Sequence, residues 1–187
     1  MDKVLVLTPI KDASRYLPQY FERLASLTYS RDALSVALLE SDSKDDTWEM
    51  ANTLTERYKL QFSSLETFKR DYGFSIPEHL PRWSPAFQKI RRTILARARN
   101  QLLFRALKDH DWVLWLDVDV IGFPFDLIEY LIGFDLNILH PDCVTEGSHD
   151  SFDQNAWKDH GRLHMHDLRG TNQPVRIDSV GGTVLLV

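Results

Sequence analysis

The sequence predicts an α/β fold in which helices flank a mainly parallel sheet, and two observations carry that expectation. Short continuous apolar runs recur at residues 4–7, 35–40 and 112–116, and a strand buried on both faces reads in this way. Between them lie stretches with apolar residues at helical spacing, at about 14–27, 45–58 and 87–108. Strands alternating with helices build a parallel sheet with helices packed on it.

In chain order, Val4-Leu5-Val6-Leu7 is the first buried strand, ended by Thr8-Pro9. Leu17, Tyr20, Phe21 and Leu24 mark one face of the helix over 14–27. The second strand, 35–40, runs into the polar turn Ser41-Asp42-Ser43-Lys44-Asp45-Asp46-Thr47, which supplies helix-capping residues; Asp45 or Asp46 suits the cap. A third extended segment lies near 61–68. The stretch 71–85 carries Gly73, Pro77, Pro81 and Pro85 and reads as a long loop. In the helix over 87–108, Ile90, Ile94, Leu95, Ala98, Leu102, Leu103 and Ala106 recur on one face. The strand 112–116 follows and stops at Asp117-Val118-Asp119. A helix over about 126–132 and a strand near 137–140 come next, then a polar, irregular stretch over 142–174. Gly181-Gly182 turns into a last strand, within which the chain ends. There is no internal repeat. The expectation is one domain over residues 1–187, truncated at its C-terminus.

With 187 residues, 43% of them hydrophobic and 26% charged, the chain has enough apolar sequence for one real core. The net charge of −5 argues against a nucleic-acid partner held by a general electrostatic footprint. Cys143 is the sole cysteine, which excludes an intrachain disulfide and a Cys-based zinc cluster. The N-terminal apolar run is too short for a signal peptide or a membrane span, so no membrane segment is expected in this chain. Neither Gly-X-Gly-X-X-Gly nor Gly-X4-Gly-Lys-Ser/Thr occurs, which removes the dinucleotide fingerprint and the ATPase P-loop.

The chemistry gathers at strand ends. Asp117 and Asp119 follow five apolar residues, at the sheet edge where open α/β folds bind ligands. Alternation along an extended segment places both carboxylates on one side, where they can share a hard divalent ion such as Mg²⁺ or Mn²⁺ and, through it, phosphate oxygens. The plainer alternative is that one Asp caps a turn and the other is solvated. The 87–108 helix, antiparallel to its strands, begins at this same edge and brings arginines there. Arg91 points into its apolar arc and Arg92 and Arg99 border it, about 10 Å apart along the axis. A diphosphate suits them as a partner; pairing with carboxylates is the alternative. Asp42 can accept hydrogen bonds from a ribose or base, and Thr8-Pro9 can offer backbone groups to a nucleobase. Phe152-Asp153-Gln154-Asn155-Ala156-Trp157 combines aromatics with polar groups, as sugar sites do, and equally suits a packed loop; Gly181-Gly182 permits close backbone approach to a ligand or a tight turn. His164-Met165-His166 is a weaker metal pattern in a polar loop.

Taken together these blocks resemble the Anp1/Mnn9/Van1 family of mannosyltransferases (glycosyltransferase family 62), whose fold is the Rossmann-like GT-A type. The resemblance runs in family order through Val4-Leu5-Val6-Leu7-Thr8-Pro9-Ile10-Lys11, Leu17-Pro18-Gln19-Tyr20-Phe21 and Glu40-Ser41-Asp42-Ser43-Lys44-Asp45-Asp46-Thr47. It continues through Ala98-Arg99-Asn100, the segment from His110 to Asp119, the block from Phe152 to Trp157, and Asp178-Ser179-Val180-Gly181-Gly182. It implies a retaining α-mannosyltransferase that takes GDP-mannose, with Mn²⁺ or Mg²⁺, to a glycan acceptor. Asp117 and Asp119 fall on the family's Asp-X-Asp motif as metal and catalytic-site residues. Thr8, Pro9 and Asp42 fall where the nucleoside is held. Arg92, Arg99 and Asn100 fall on the arginine-rich segment beside the donor. Asp153, Asn155, Trp157, Gly181 and Gly182 are the candidates for the acceptor or sugar.

The resemblance also implies a possible glycosyltransferase complex as partner, and a Golgi-lumenal setting if the parent is an anchored fungal protein. Family members continue past the Gly-Gly strand into a segment with an acidic residue and a metal-completing histidine, neither of which this chain contains. A non-catalytic, complex-supporting member is therefore the second reading. A haloacid-dehalogenase-type phosphatase is the third, disfavoured because that motif normally sits near the N-terminus.

Overall fold

The computed structural model describes residues 1–77, 80, 84–170 and 173–187. Four strands, β1 (Val4–Ile10), β2 (Leu34–Glu40), β3 (Ser64–Lys69) and β4 (Trp112–Leu116), run parallel. A short antiparallel pair, β5 (Trp157–Lys158) and β6 (Leu163–His164), stands apart from them. The last strand, β7 (Val184–Leu186), closes the main sheet antiparallel to β4, giving the order β3-β2-β1-β4-β7. The chain winds outward from β1 to β3 and then crosses back to lay β4 on the other side of β1. The topological switch point therefore falls between β1 and β4, and open sheets bind ligands beyond the strand ends at such a point.

Side-chain alternation divides the core into two layers. Val4, Val6, Ile10, Val36, Leu38, Leu114 and Leu116 face α1 (Leu17–Ala25), α2 (Thr47–Tyr58) and the short α4 (Leu127–Ile132). Leu5, Leu7, Ala37, Leu39, Val113 and Trp115 face the other way, against α3 (Pro85–Ala106). Both faces are covered, which is why these strands read as unbroken apolar runs. No helix among the described residues is long and apolar enough to cross a membrane.

The 22 residues of α3 make a rod of about 33 Å, whereas the seven of β1 extend only about 23 Å. The helix therefore overhangs the sheet. Ala98, Leu102 and Ala106 are its buried residues, while Ile90 and Leu95 are 50% and 36% exposed. The apolar face expected along the whole helix is a core face only in its C-terminal half.

Other boundaries moved for local reasons. Helix α1 begins at Leu17 because residues 13–16 form a turn, with Tyr16 N–H donating to Ala13 O at 2.9 Å. Pro18 is tolerated in that first helical turn, where its missing N–H has no partner to lose. Strand β1 does not stop at Thr8-Pro9 but continues to Ile10. Its register with β4 ends at Leu7↔Trp115, so Pro9 lies where one side of β1 is open, a place that tolerates a residue without N–H. The strand expected near 137–140 is reduced to a single bridge, Leu139↔Leu186, because β7 offers it only three residues. Within the predicted loop 71–85, residues 78, 79 and 81–83, Pro81 among them, lie outside the described residues. So do residues 171 and 172 of the polar stretch 142–174.

Candidate functional site

The carboxyl ends of β1, β2 and β4 converge at the switch point, and each delivers one of the expected groups. At the end of β1, Thr8 is fully buried, and its hydroxyl donates to Leu116 O at 2.9 Å. That uses the only hydroxyl proton of Thr8, so the Tyr20 hydroxyl must donate to Thr8 Oγ1. Burial pushes the Tyr20 phenol well above its usual range, which keeps it a proton donor. Thr8 thus ties β1 to the last residue of β4, and Pro9 beside it is half-buried.

The two carboxylates after β4 do not lie on an extended segment. The strand ends at Leu116, Asp117 N–H donates to Thr183 O at 2.9 Å, and Val120 N–H donates back to Asp117 O at 3.2 Å. Asp117-Val118-Asp119 is therefore a turn, and the alternation expected to put both side chains on one face does not apply. The Asp117 side chain is 38% exposed, and Asp119 is exposed. No cluster of three or more His, Cys, Asp or Glu that could cage a metal occurs among the described residues. Two hard carboxylates fit a cation whose remaining ligands are phosphate oxygens and water, as Mg²⁺-type sites are commonly built.

Of the expected arginines, Arg99 reaches this turn. Its guanidinium lies 5.0 Å above the centroid of Trp115, donates from Nη2 to Gly182 O at 2.6 Å, and sits 3.6 Å from Asp117 Oδ1. Its Nε is buried without a hydrogen-bond partner. Arg92 and Asn100 are exposed on α3, Arg92 on the overhanging half, and Arg91 is partly buried.

At the end of β2, Asp42 adopts φ 53°, which Asp tolerates better than most residues. Its carboxylate accepts from the N–H groups of Tyr72 (3.0 Å) and Gly73 (2.8 Å), while its own N–H donates to Asp71 Oδ1 at 3.0 Å. Its carbonyl accepts from Lys11 Nζ. Asp42 thereby fastens the 71–73 segment across the end of the sheet. The neighbouring Asp45 accepts from the Thr47 N–H at 3.2 Å and from Ser14 Oγ at 2.7 Å, so it satisfies the first N–H of α2 and ties the start of that helix to the turn before α1. Asp46 occupies the cap position without a side-chain bond.

Asp153 is buried and fully engaged. Oδ2 accepts from Gly182 N–H (2.7 Å), Thr183 Oγ1 (3.0 Å) and Thr183 N–H (3.3 Å); Oδ1 accepts from the Asn155 N–H (3.1 Å) and Nδ2 (3.0 Å). Burial opposes its ionisation, but these hydrogen bonds from Asn155, Gly182 and Thr183 outweigh it and hold the carboxyl below its usual range. A Cβ on Gly181 would lie 1.9 Å from Asp153 Oδ2, and one on Gly182 would lie 2.6 Å from Arg99 Nη1. The close approach at this Gly pair is to protein groups, Asp153 and Arg99. Trp157 stitches the same region together, its N–H donating to Ser179 O and its carbonyl accepting from Asp178 N–H.

Asp117, Arg99, Gly182, Asp153 and Asn155 therefore form one contiguous group. Sequence reasoning missed Trp115 as the platform for Arg99; its alternation with Leu114 and Leu116 toward the α3 layer was the available signal. It also missed the Arg169–Asp142 pair (2.5 Å), whose Asp142 also accepts from Ser151 Oγ at 2.7 Å, since nothing local announces it. The rings of His164 and His166 stack at 6.1 Å, and His164 pairs with Trp157 in the β5–β6 ribbon rather than in the main sheet.

Comparison with known proteins bears on this arrangement. The Anp1 family profile matches residues 1–165. The mannan polymerase II complex ANP1 subunit of Saccharomyces cerevisiae is 33% identical over 181 residues, covering 89% of this chain and 36% of the relative. The mannan polymerase complex subunit MNN9 of Candida albicans is 36% identical over 141 residues, covering 71% of this chain and 37% of the relative. The chain thus spans little more than a third of the length of these relatives. Among solved structures, a mannosyltransferase from Pyrobaculum calidifontis in complex with GDP-Man and Mn²⁺ superposes with a TM-score of 0.54 at 18% identity, over 77% of this chain and 36% of that one. S. aureus TarS 1-349 in complex with UDP superposes with a TM-score of 0.56 at 16% identity, over 82% of this chain and 39% of that one. At such identities the likeness establishes the fold, which is the GT-A type.

Proposed function

This chain belongs to the Anp1 family, and from that we infer that it binds GDP-mannose with a divalent cation and serves transfer of the mannose, with retention, to a glycan acceptor. The observation that carries the reading is Arg99, a guanidinium fixed beside Asp117 at the β1/β4 switch point of a GT-A sheet. A nucleotide-sugar presents a diphosphate, and the site offers groups suited to its parts. Arg99 supplies a fixed positive charge with an unsatisfied buried Nε, and its planar fork suits phosphate oxygens. Asp117 and Asp119 would hold Mn²⁺ or Mg²⁺, which when bound supplies positive charge against the diphosphate as it leaves. Asp42 and the Thr8-Pro9 backbone at the neighbouring strand ends are assigned the nucleoside; the Thr8 side chain, fully buried, stays with Leu116 and Tyr20. Arg92 and Asn100, exposed on α3, are assigned to the outer side of the donor. Asn155 and Trp157 remain the candidates for the sugar or acceptor side.

The donor assignment is tested by thermal unfolding with nucleotides. GDP with Mn²⁺ is expected to raise Tm more than UDP with Mn²⁺, and Asp119→Ala to remove the metal-dependent part of the shift. Equal stabilisation without metal, or none from either nucleotide, would sink it. A second reading, a non-catalytic subunit of a glycosyltransferase complex, is favoured by the relatives that are named as subunits of mannan polymerase complexes. Turnover of GDP-mannose with a mannoside acceptor separates the two.

A further inference from the structure

A buried carboxylate that accepts five hydrogen bonds looks at first like a lock on its own turn. Three features of its surroundings go further than a lock requires. Gly182, whose N–H the Asp153 carboxylate holds, is also the residue whose carbonyl receives Arg99 Nη2, so one residue joins the two side chains. The Cβ position of Gly182 is filled by the guanidinium itself, so backbone and side chain are packed to contact. Among the described residues, Arg99 Nε has no hydrogen-bond partner, and the guanidinium's other anchors are the Trp115 ring and the Asp117 carboxylate.

From this geometry we propose that Asp153 is a positioning residue for the donor site: by holding the backbone of residues 181–183 it fixes the Arg99 guanidinium on Trp115 and beside Asp117. The proposal rests on the reading of Arg99 and Asp117 as donor-site groups. It reassigns Asp153, Gly181 and Gly182 from contact with a sugar to support of the arginine. A free guanidinium would sample many rotamers and lose entropy on meeting a diphosphate; one fixed in advance loses less.

The test uses the chain labelled with 5-fluorotryptophan, the Trp115 resonance being assigned with Trp115→Phe. In Asp153→Asn, which keeps the shape but not the charge, the Trp115 fluorine signal is expected to move toward its position in Arg99→Met, with the Trp48 and Trp112 signals in place. The Kd for GDP with Mn²⁺ is expected to rise about tenfold, the scale of one lost charge-assisted contact. The double variant Arg99→Met with Asp153→Asn is expected to bind no worse than Arg99→Met alone, because both act through one group. A Trp115 signal that stays put in a folded Asp153→Asn chain, or losses that simply add, would overturn the proposal. If Asp153→Asn does not fold, Thr183→Val removes one of the five donors while keeping the shape. The expected result is then a smaller shift of the same signal in the same direction, and no shift overturns the proposal. A Trp115 signal that moves as expected in a chain that binds no GDP–Mn²⁺ upholds the positioning role and overturns the donor reading instead.

Discussion

Asp42 and Asp153 solve the same local problem in two different settings. Each receives consecutive backbone N–H groups from a segment far along the chain, residues 72–73 for Asp42 and residues 182–183 for Asp153. Asp42 is partly exposed and its segment continues into a loop, so water can replace what it loses. Asp153 is buried against residues 181–183, which lead into β7, and that segment touches Arg99. One clamp holds a loop; the other holds a charged side chain. The lesson is that the consequence of a backbone clamp is set by what the clamped segment touches, and by whether solvent can substitute.

The comparison breaks most visibly at Asp153. Asp153→Ala leaves the N–H groups of Gly182, Thr183 and Asn155 unpaired and is expected to cost at least about 3 kcal/mol in a denaturant titration. Because the folded pKa lies below the unfolded value of about 3.9, the charge-dependent part of that contribution is complete above this pH and is lost as the pH falls through the folded pKa. The gap between wild type and variant should accordingly narrow only in acid. Next in size, Gly182→Ala drives a methyl group into the guanidinium and is expected to cost about 1–3 kcal/mol, with weaker GDP–Mn²⁺ binding by calorimetry. The smallest effect is expected for Asp42→Ala, about 1 kcal/mol in the same titration. A loss at Asp42 as large as that at Asp153 would show that solvent does not replace what the Asp42 clamp loses.

The scaffold was largely legible in the sequence, and the supports of the site were not. Residues 112–116 show why: an unbroken apolar run between His110-Asp111 and Asp117 fixes both ends of a buried strand, and β4 has those bounds. The carboxylates after it were legible for the same reason. Their relative placement was not, because the strand yields to a turn at Asp117 rather than continuing. Along α3, the apolar residues from Ile90 onward promised a core face, but a pattern of residues cannot announce that the helix is longer than the sheet beneath it. Asp153 reads in the sequence as a candidate for sugar or acceptor contact, not as a support. Its partners at 182 and 183 lie 29 and 30 residues away, and no periodicity links them. Gly181-Gly182 signalled close approach, yet the approaching groups, Asp153 and Arg99, come from other elements.

The unequal lengths of β1 and β4 carry one more consequence. Where β4 ends at Leu116, opposite Thr8, β1 runs on through Pro9 and Ile10, so the sheet margin descends by a step of about 7 Å at the switch point. The Asp117 turn stands on the lower tread. Its depth is written in the chain as a count of residues, independent of any side chain around it. Inserting two residues at the end of β4 would level the margin and carry the acidic turn up to the height of Ile10, with every side chain of the site unchanged. In a site of this kind, spacing is inherited through strand length before it is refined through contacts.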